Sequence, residues 1–172
     1  MGYEIAGGLG VKMAEPEREA FVLVGDGSYL MLNSELATSV MLGRKLTVVM
    51  LDNRGYGCIN RLQRATGGAS FNNLFDHVDH MADPALVDFA GHARALGAEA
   101  EKVASIADLE RALERAKSAR KTYVIVIDTD PLVTTEEGGA WWDVAVPEAS
   151  EREEVRLARE AYASAMARQK LA

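Results

Sequence analysis

The chain has 172 residues, 48% of them hydrophobic and 26% charged, with a formal net charge of −7. That length and balance describe a soluble globular domain with a real core and leave little room for two domains. An acidic chain lacks the clustered Lys and Arg that bind phosphate backbones, which argues against nucleic acid, and no apolar run approaches the roughly 20 residues needed to cross a bilayer.

No basic-then-apolar signal segment opens the sequence. The single cysteine, Cys58, has no partner for an internal disulfide. A reducing cytoplasm is therefore the expected location.

In chain order, AFVLVG at 20–25 predicts a short strand buried on both faces. It runs into Gly25-Asp26-Gly27-Ser28. NSELATSVMLGRK then predicts a helix that Asn33 caps, with Glu35 in its first turn. Gly43 stops it, with Arg44 and Lys45 just past its end. LTVVMLDN at 46–53 predicts a second buried strand, followed by a helix that includes Cys58. Residues 66–83 have no clean period and predict a long loop, a class of segment that is often functional. PALVDFAGHARALG at 84–97 opens on proline and closes on glycine, as a helix does. SIADLERALERAKSA at 105–119 is an amphipathic helix, and TYVIVIDTD at 122–130 a third buried strand. Residues 131–149 are irregular, and 150–169 predict a terminal helix whose charges form a solvated face, with partner binding the alternative. Strands alternating with helices give an α/β fold, three layers (αβα) around a mainly parallel sheet.

Two polar turns end the first two strands. In open α/β sheets, ligands bind outside the carboxyl ends of the strands. If these strands are neighbours, Asp26 and Asn53 meet at one edge. A carboxylate, an amide oxygen and a backbone carbonyl are hard ligands suited to Mg²⁺, completed by water and by phosphates of a bound molecule. Gly27 leaves room for a phosphate, and Ser28 offers a hydroxyl and a main-chain N–H. Asp-Gly is also a common turn pair without chemistry. His77 and His80 lie three apart among acids, but without companion cysteines they read as surface loop rather than metal site. Cys58 has no histidine base nearby in sequence and is expected to be a small buried apolar residue, not a nucleophile.

Gly25-Asp26-Gly27, a helix and strand through Leu51, and then Asp52-Asn53-Arg54-Gly55 resemble the signature of thiamin-diphosphate-dependent enzymes. The resemblance implies that Asp26, the Asn53 side chain and the Gly55 carbonyl bind Mg²⁺. It also implies that Gly25, Gly27, Ser28, Asn53, Gly55 and Tyr56 meet the cofactor. Asp52 stands where these enzymes commonly have a first Asn. MGYEIAGGLGVKMAEP is similar to the helix before the cofactor turn in acetolactate-synthase-like members, which places Met1 beneath the cofactor. Read without the resemblance, Met1 is an ordinary terminus.

GDGSYLMLNSEL, LDNRGYGCINRLQ, GGASFNNLF and GGAWWDVAVPE further resemble the branch that opens a cyclic 1,2-dione of inositol catabolism by hydrolytic carbon–carbon cleavage. Trp141 and Trp142 read alone as packing residues, and Asn72 and Asn73 as turn formers. By the resemblance, that pair belongs to a loop beside the cofactor. The resemblance implies a cofactor domain over 1–149 with a helical extension over 150–172, a small cyclic dione as substrate, and a homo-oligomer, dimer or tetramer. It also implies a separate pyrimidine-binding domain carrying the glutamate that activates the cofactor. No motif assigns that role to Glu4 or Glu35, so no catalytic residue is expected in this chain. The alternatives are a carboligase or decarboxylase of the same superfamily, and a non-catalytic module that binds cofactor or a partner.

Overall fold

The computed structural model describes residues 1–78, 86–133 and 144–169. Two units emerge, Met1–Gly55 with Pro84–Asp130, and Tyr56–Asp83 with Pro131–Ala172.

The first unit is built on a four-stranded parallel sheet in the order β1-β2-β4-β3. The strands are β1 (Phe21–Gly25), β2 (Thr47–Asp52), β3 (Glu99–Val103) and β4 (Tyr123–Asp128). Three of them are the apolar runs expected from sequence. β3 is an addition, missed because Glu99, Glu101 and Lys102 mask any apolar pattern. It lies at an edge of the sheet, where charged residues suit a strand with one unpaired side. Glu101 accepts two hydrogen bonds from Arg115, at 2.9 and 2.7 Å, and one from the Tyr123 hydroxyl at 2.6 Å.

One face of the sheet buries Val22, Val24, Val48, Met50, Val124 and Val126 with Ile5 and Leu9 of α1 (Glu4–Ala14), Leu36 of α3 (Glu35–Met41), and Phe89 and Ala93 of α5 (Phe89–Ala95). The other face packs Ile125, Ile127 and Val103 against Ala112 and Ala116 of α6 (Ile106–Ser118). Phe21 and Leu23, on the edge strand β1, stay exposed.

The chain after β1 differs from the sequence expectation. Asp26–Met31 forms a helix of its own, α2, before α3 begins. Tyr29 explains the extra turn, since its side chain is fully buried and hydrogen-bonded through its hydroxyl to His92 Nδ1 at 2.7 Å. Asn33 does not cap α3. Ser34 occupies that position without a side-chain bond, and Asn33 contributes only its carbonyl to the Leu36 N–H. The helix expected over 84–97 is shorter, because Asp88 caps it by accepting from the Gly91 N–H at 2.8 Å. Pro84 lies outside the described residues.

A buried polar knot joins α3 to the entry of β4. The Leu46 N–H donates to Thr122 Oγ1 at 3.1 Å, and Thr122 shares a 2.7 Å hydrogen bond with Ser39. Ser39 in turn donates to the Leu36 carbonyl. Thr122→Val keeps the volume but strands a buried N–H, which costs about 1–3 kcal/mol. The expected result is a lower denaturant midpoint with an unchanged slope; an unchanged midpoint would show that the knot contributes nothing.

In the second unit, α4 (Gly57–Ala65) is followed by a 3₁₀ turn at Phe75–His77, and α7 (Glu153–Arg168) is the terminal helix expected from sequence. Cys58 is exposed, against expectation, because the residue that α4 buries is Asn60. Trp141, Trp142 and His80 lie outside the described residues, so nothing follows for the tryptophan pair or the histidine pair. Among the described residues no helix is long and apolar enough to cross a membrane.

Candidate functional site

Adjacency of β1 and β2 decides the geometry. With Gly25 paired to Leu51 in parallel register, the residues after both strands emerge side by side. Asp26 opens α2 and is 1% exposed. Its Oδ2 accepts from the Gly55 N–H at 2.6 Å and its Oδ1 from the Asn53 N–H at 3.3 Å. Burial pushes the Asp26 carboxyl up, an effect that these two N–H groups oppose and nearby Asp52 reinforces. A buried anion held only by backbone N–H groups, those of Gly55, Asn53 and Gly27, is an arrangement that a bound cation relieves.

The 52–55 turn is shaped for this contact. Arg54 has φ 60° and Gly55 φ 144°, the second a conformation that glycine alone adopts readily. The Asp52 carboxylate accepts from the Arg54 N–H at 3.0 Å and its carbonyl from the Thr129 N–H at 2.8 Å. Asp52 is thus a turn former, and the departure from the common Asn leaves the turn intact.

One end of the Asn53 side-chain amide lies 2.8 Å from the Gly55 carbonyl oxygen and 3.1 Å from Asp26 Oδ1, and hydrogen bonding assigns that end to Nδ2, which donates to both. A half-turn of the amide would put its oxygen in the same place, beside the Gly55 carbonyl and Asp26 Oδ1, as a cation there requires. Adjacent ligands of an octahedral Mg²⁺ at 2.0–2.1 Å are about 2.9 Å apart, so the spacing fits that ion. Among the described residues no group of three His, Cys, Asp or Glu could hold a metal.

The other expected residues fall as follows. A Cβ at Gly25 would meet nothing within 4 Å, so space is open beside the strand end. Gly27 and Ser28 are buried in the first turn of α2. The Ser28 hydroxyl is already engaged: it accepts from the Gly2 N–H at 3.0 Å and donates to Glu4 Oε1 at 2.9 Å. Its main-chain N–H, at a helix start without an intrahelical acceptor, is what is left for a phosphate. Met1 is exposed. Tyr56 belongs to the second unit, where its N–H donates to the Asn73 carbonyl at 2.6 Å. Asn73 Nδ2 donates to Gln63 Oε1 there, also at 2.6 Å, so Asn73 acts as a loop brace. Glu4 is the site residue that sequence reasoning missed. Its distance from Ser28 along the chain left no local signal.

Residues 1–127 match the family model for the thiamine pyrophosphate enzyme, C-terminal TPP binding domain. The chain is 42% identical over 161 residues to the 3D-(3,5/4)-trihydroxycyclohexane-1,2-dione hydrolase of Halalkalibacterium halodurans, covering 93% of this chain and 25% of the relative. It is 41% identical over 161 residues to the protein of that name from Bacillus subtilis, covering 94% and 25%. The chain thus spans about a quarter of the length of the curated relatives it matches. Among solved structures, a thiamine diphosphate-dependent 4-hydroxybenzoylformate decarboxylase from Rhodococcus jostii RHA1 matches with a TM-score of 0.67. The identity there is 22%, with 76% of this chain and 23% of that one covered, a likeness of fold.

Proposed function

Because the chain belongs to the thiamine pyrophosphate enzyme family through its C-terminal cofactor-binding domain, we propose that it is the diphosphate- and Mg²⁺-binding part of a hydrolase. That enzyme opens a cyclic 1,2-dione by carbon–carbon cleavage. The observation that supports the reading most is the convergence of Asp26 Oδ1, the Asn53 side-chain amide and the Gly55 carbonyl, with the amide 3.1 and 2.8 Å from the two oxygens, a spacing that suits Mg²⁺ once the amide presents its oxygen. The substrate class follows the printed name of the relatives at 41–42% identity.

In this reading Asp26, Asn53 and Gly55 hold the ion, and the ion holds the diphosphate. The space beside Gly25, the backbone at Gly27 and the Ser28 N–H receive the phosphate oxygens, with Asn53 and Gly55 at the edge of the same turn. Met1 contacts the rest of the cofactor. When bound, thiamin diphosphate supplies an electron sink for cleaving a carbon–carbon bond next to a carbonyl. The chain's own residues bind and orient. A pyrimidine-binding domain supplies the activating glutamate.

The test joins this chain to the remaining length of a close relative and assays a cyclic 1,2-dione against pyruvate, with Mg²⁺ and cofactor. Ring opening of the dione is expected; turnover of pyruvate alone would replace the reading with a carboligase or decarboxylase.

The chain also forms homo-oligomers in this reading. Met1, Tyr3, Val11 and Met13 expose apolar surface along α1 and the residues before it, and two-fold dimers are the commonest closed assemblies. Light scattering at micromolar concentration should give at least twice the monomer mass. A monomer there would count against association.

A further inference from the structure

Two hydrogen bonds tie the cofactor turn to the first residues of the chain. The Gly2 N–H donates to Ser28 Oγ across a buried contact, and the Ser28 hydroxyl donates to Glu4 Oε1. The same segment lies along α2. Gly2 has φ +81°, and a Cβ there would come within 3.1 Å of Met31 Cβ and 3.4 Å of Leu32 Cβ. Residues 1–4 therefore touch both ends of the short helix that Asp26 begins.

Glu4 gives up hydration to make this contact. Its second oxygen, Oε2, is buried with no hydrogen-bond partner, and stripping water from a carboxylate oxygen costs free energy. Burial pushes its carboxyl up, yet its own main-chain N–H, the Ser28 hydroxyl, the charge of the chain's amino group and the Gly2 N–H together outweigh this and hold it below the usual range. Its place in the first turn of α1 also favours the anion. A surface glutamate at this position would avoid the cost, so the contact with Ser28 is the feature to explain. A serine hydroxyl has three staggered positions. With Glu4 accepting its proton and Gly2 donating to its oxygen, one of them is selected.

We propose that Glu4 is a positioning residue for the cofactor site: through Ser28 it clamps residues 1–3 onto α2 and fixes the Asp26-Gly27-Ser28 turn. The role rests on the reading of that turn as the diphosphate anchor. Glu4 touches neither metal nor cofactor. It acts by making the segment before α1 and the anchor move as one piece.

The experiment measures two things on the full 172-residue chain. Calorimetry gives the Kd for thiamin diphosphate with Mg²⁺, and NMR hydrogen exchange reads the Gly2 amide without cofactor. Glu4→Ala and Ser28→Ala should each deprotect the Gly2 amide and weaken cofactor binding by about tenfold, the scale of one buried hydrogen bond. The double variant should bind no more weakly than either single one, since both break the same relay. Glu4→Gln, whose amide oxygen still accepts from Ser28, should restore binding to within about threefold. A merely structural role would lower the melting temperature and leave Kd unchanged well below the melt. Unchanged Kd, additive losses, or no rescue by glutamine would overturn the proposal. Asp26→Ala should abolish binding and keep Gly2 protected, which separates loss of the anchor from loss of the clamp. If the unmodified chain binds no cofactor, the anchor reading fails and the positioning role with it. A Gly2 amide still protected in Ser28→Ala overturns the clamp alone.

Discussion

Asp26→Ala is expected to weaken Mg²⁺-dependent binding of thiamin diphosphate by more than 100-fold. Of the three groups that converge at the turn, Asp26 alone brings a charge; the Asn53 amide and the Gly55 carbonyl are neutral. Changing a residue that only supports a metal ligand already costs about 10–100-fold. Losing the one anionic ligand should exceed that range. The alanine variant also leaves the Gly55 and Asn53 N–H groups without their acceptor, so its melting temperature should be measured beside its affinity. Asp26→Asn keeps an acceptor in place and should lose the ion while disturbing the turn less. Asp52→Asn is the contrasting change, because its amide oxygen can still accept from the Arg54 N–H, and its affinity should stay within a few fold. Calorimetry on the three variants decides the matter: affinity unchanged in Asp26→Ala, in a chain that melts normally, would remove Asp26 from the site.

The second large effect is expected in turnover. The chain alone, supplied with Mg²⁺, thiamin diphosphate and a cyclic 1,2-dione, should show no ring opening above background. The same chain combined with the remaining three quarters of a relative should show it. The motivation is the residue inventory. Of the residues proposed to meet the cofactor, Asp26 is committed to backbone N–H groups and the Ser28 hydroxyl to Glu4. Neither is free to move a proton on the pyrimidine ring. A positioned general acid or base is worth about 10²–10⁴-fold, so its arrival with the other domain should be plain in a rate measurement. Comparable rates with and without that domain would place the activating group among these 172 residues.

The sequence by itself determined the three most apolar strands, the α/β class, and the spacing of Asp26, Asn53 and Gly55. These are local matters: a continuous apolar run reports burial on both faces, and a polar, glycine-bearing turn reports the strand's end. The spacing alone pointed to a metal-held diphosphate, and the thiamin-diphosphate family entered as a resemblance carried by Gly25-Asp26-Gly27 and Asp52-Asn53-Arg54-Gly55. Tertiary structure decided what depends on which surfaces meet. Asp26 and Asn53 face each other because β1 and β2 are adjacent and in register at Gly25 and Leu51, and neither segment specifies its neighbour alone. The charged strand β3 exists because β4 offers it an edge and Arg115 offers Glu101 a partner. The extra helix α2 forms where Tyr29 finds a buried slot beside Phe89 and His92, an outcome set some sixty residues away along the chain. The Ser28 hydroxyl goes to Glu4, and Cys58 faces outward while Asn60 turns in. Local pattern fixes what a side chain prefers; only the packed fold supplies the partner that satisfies it.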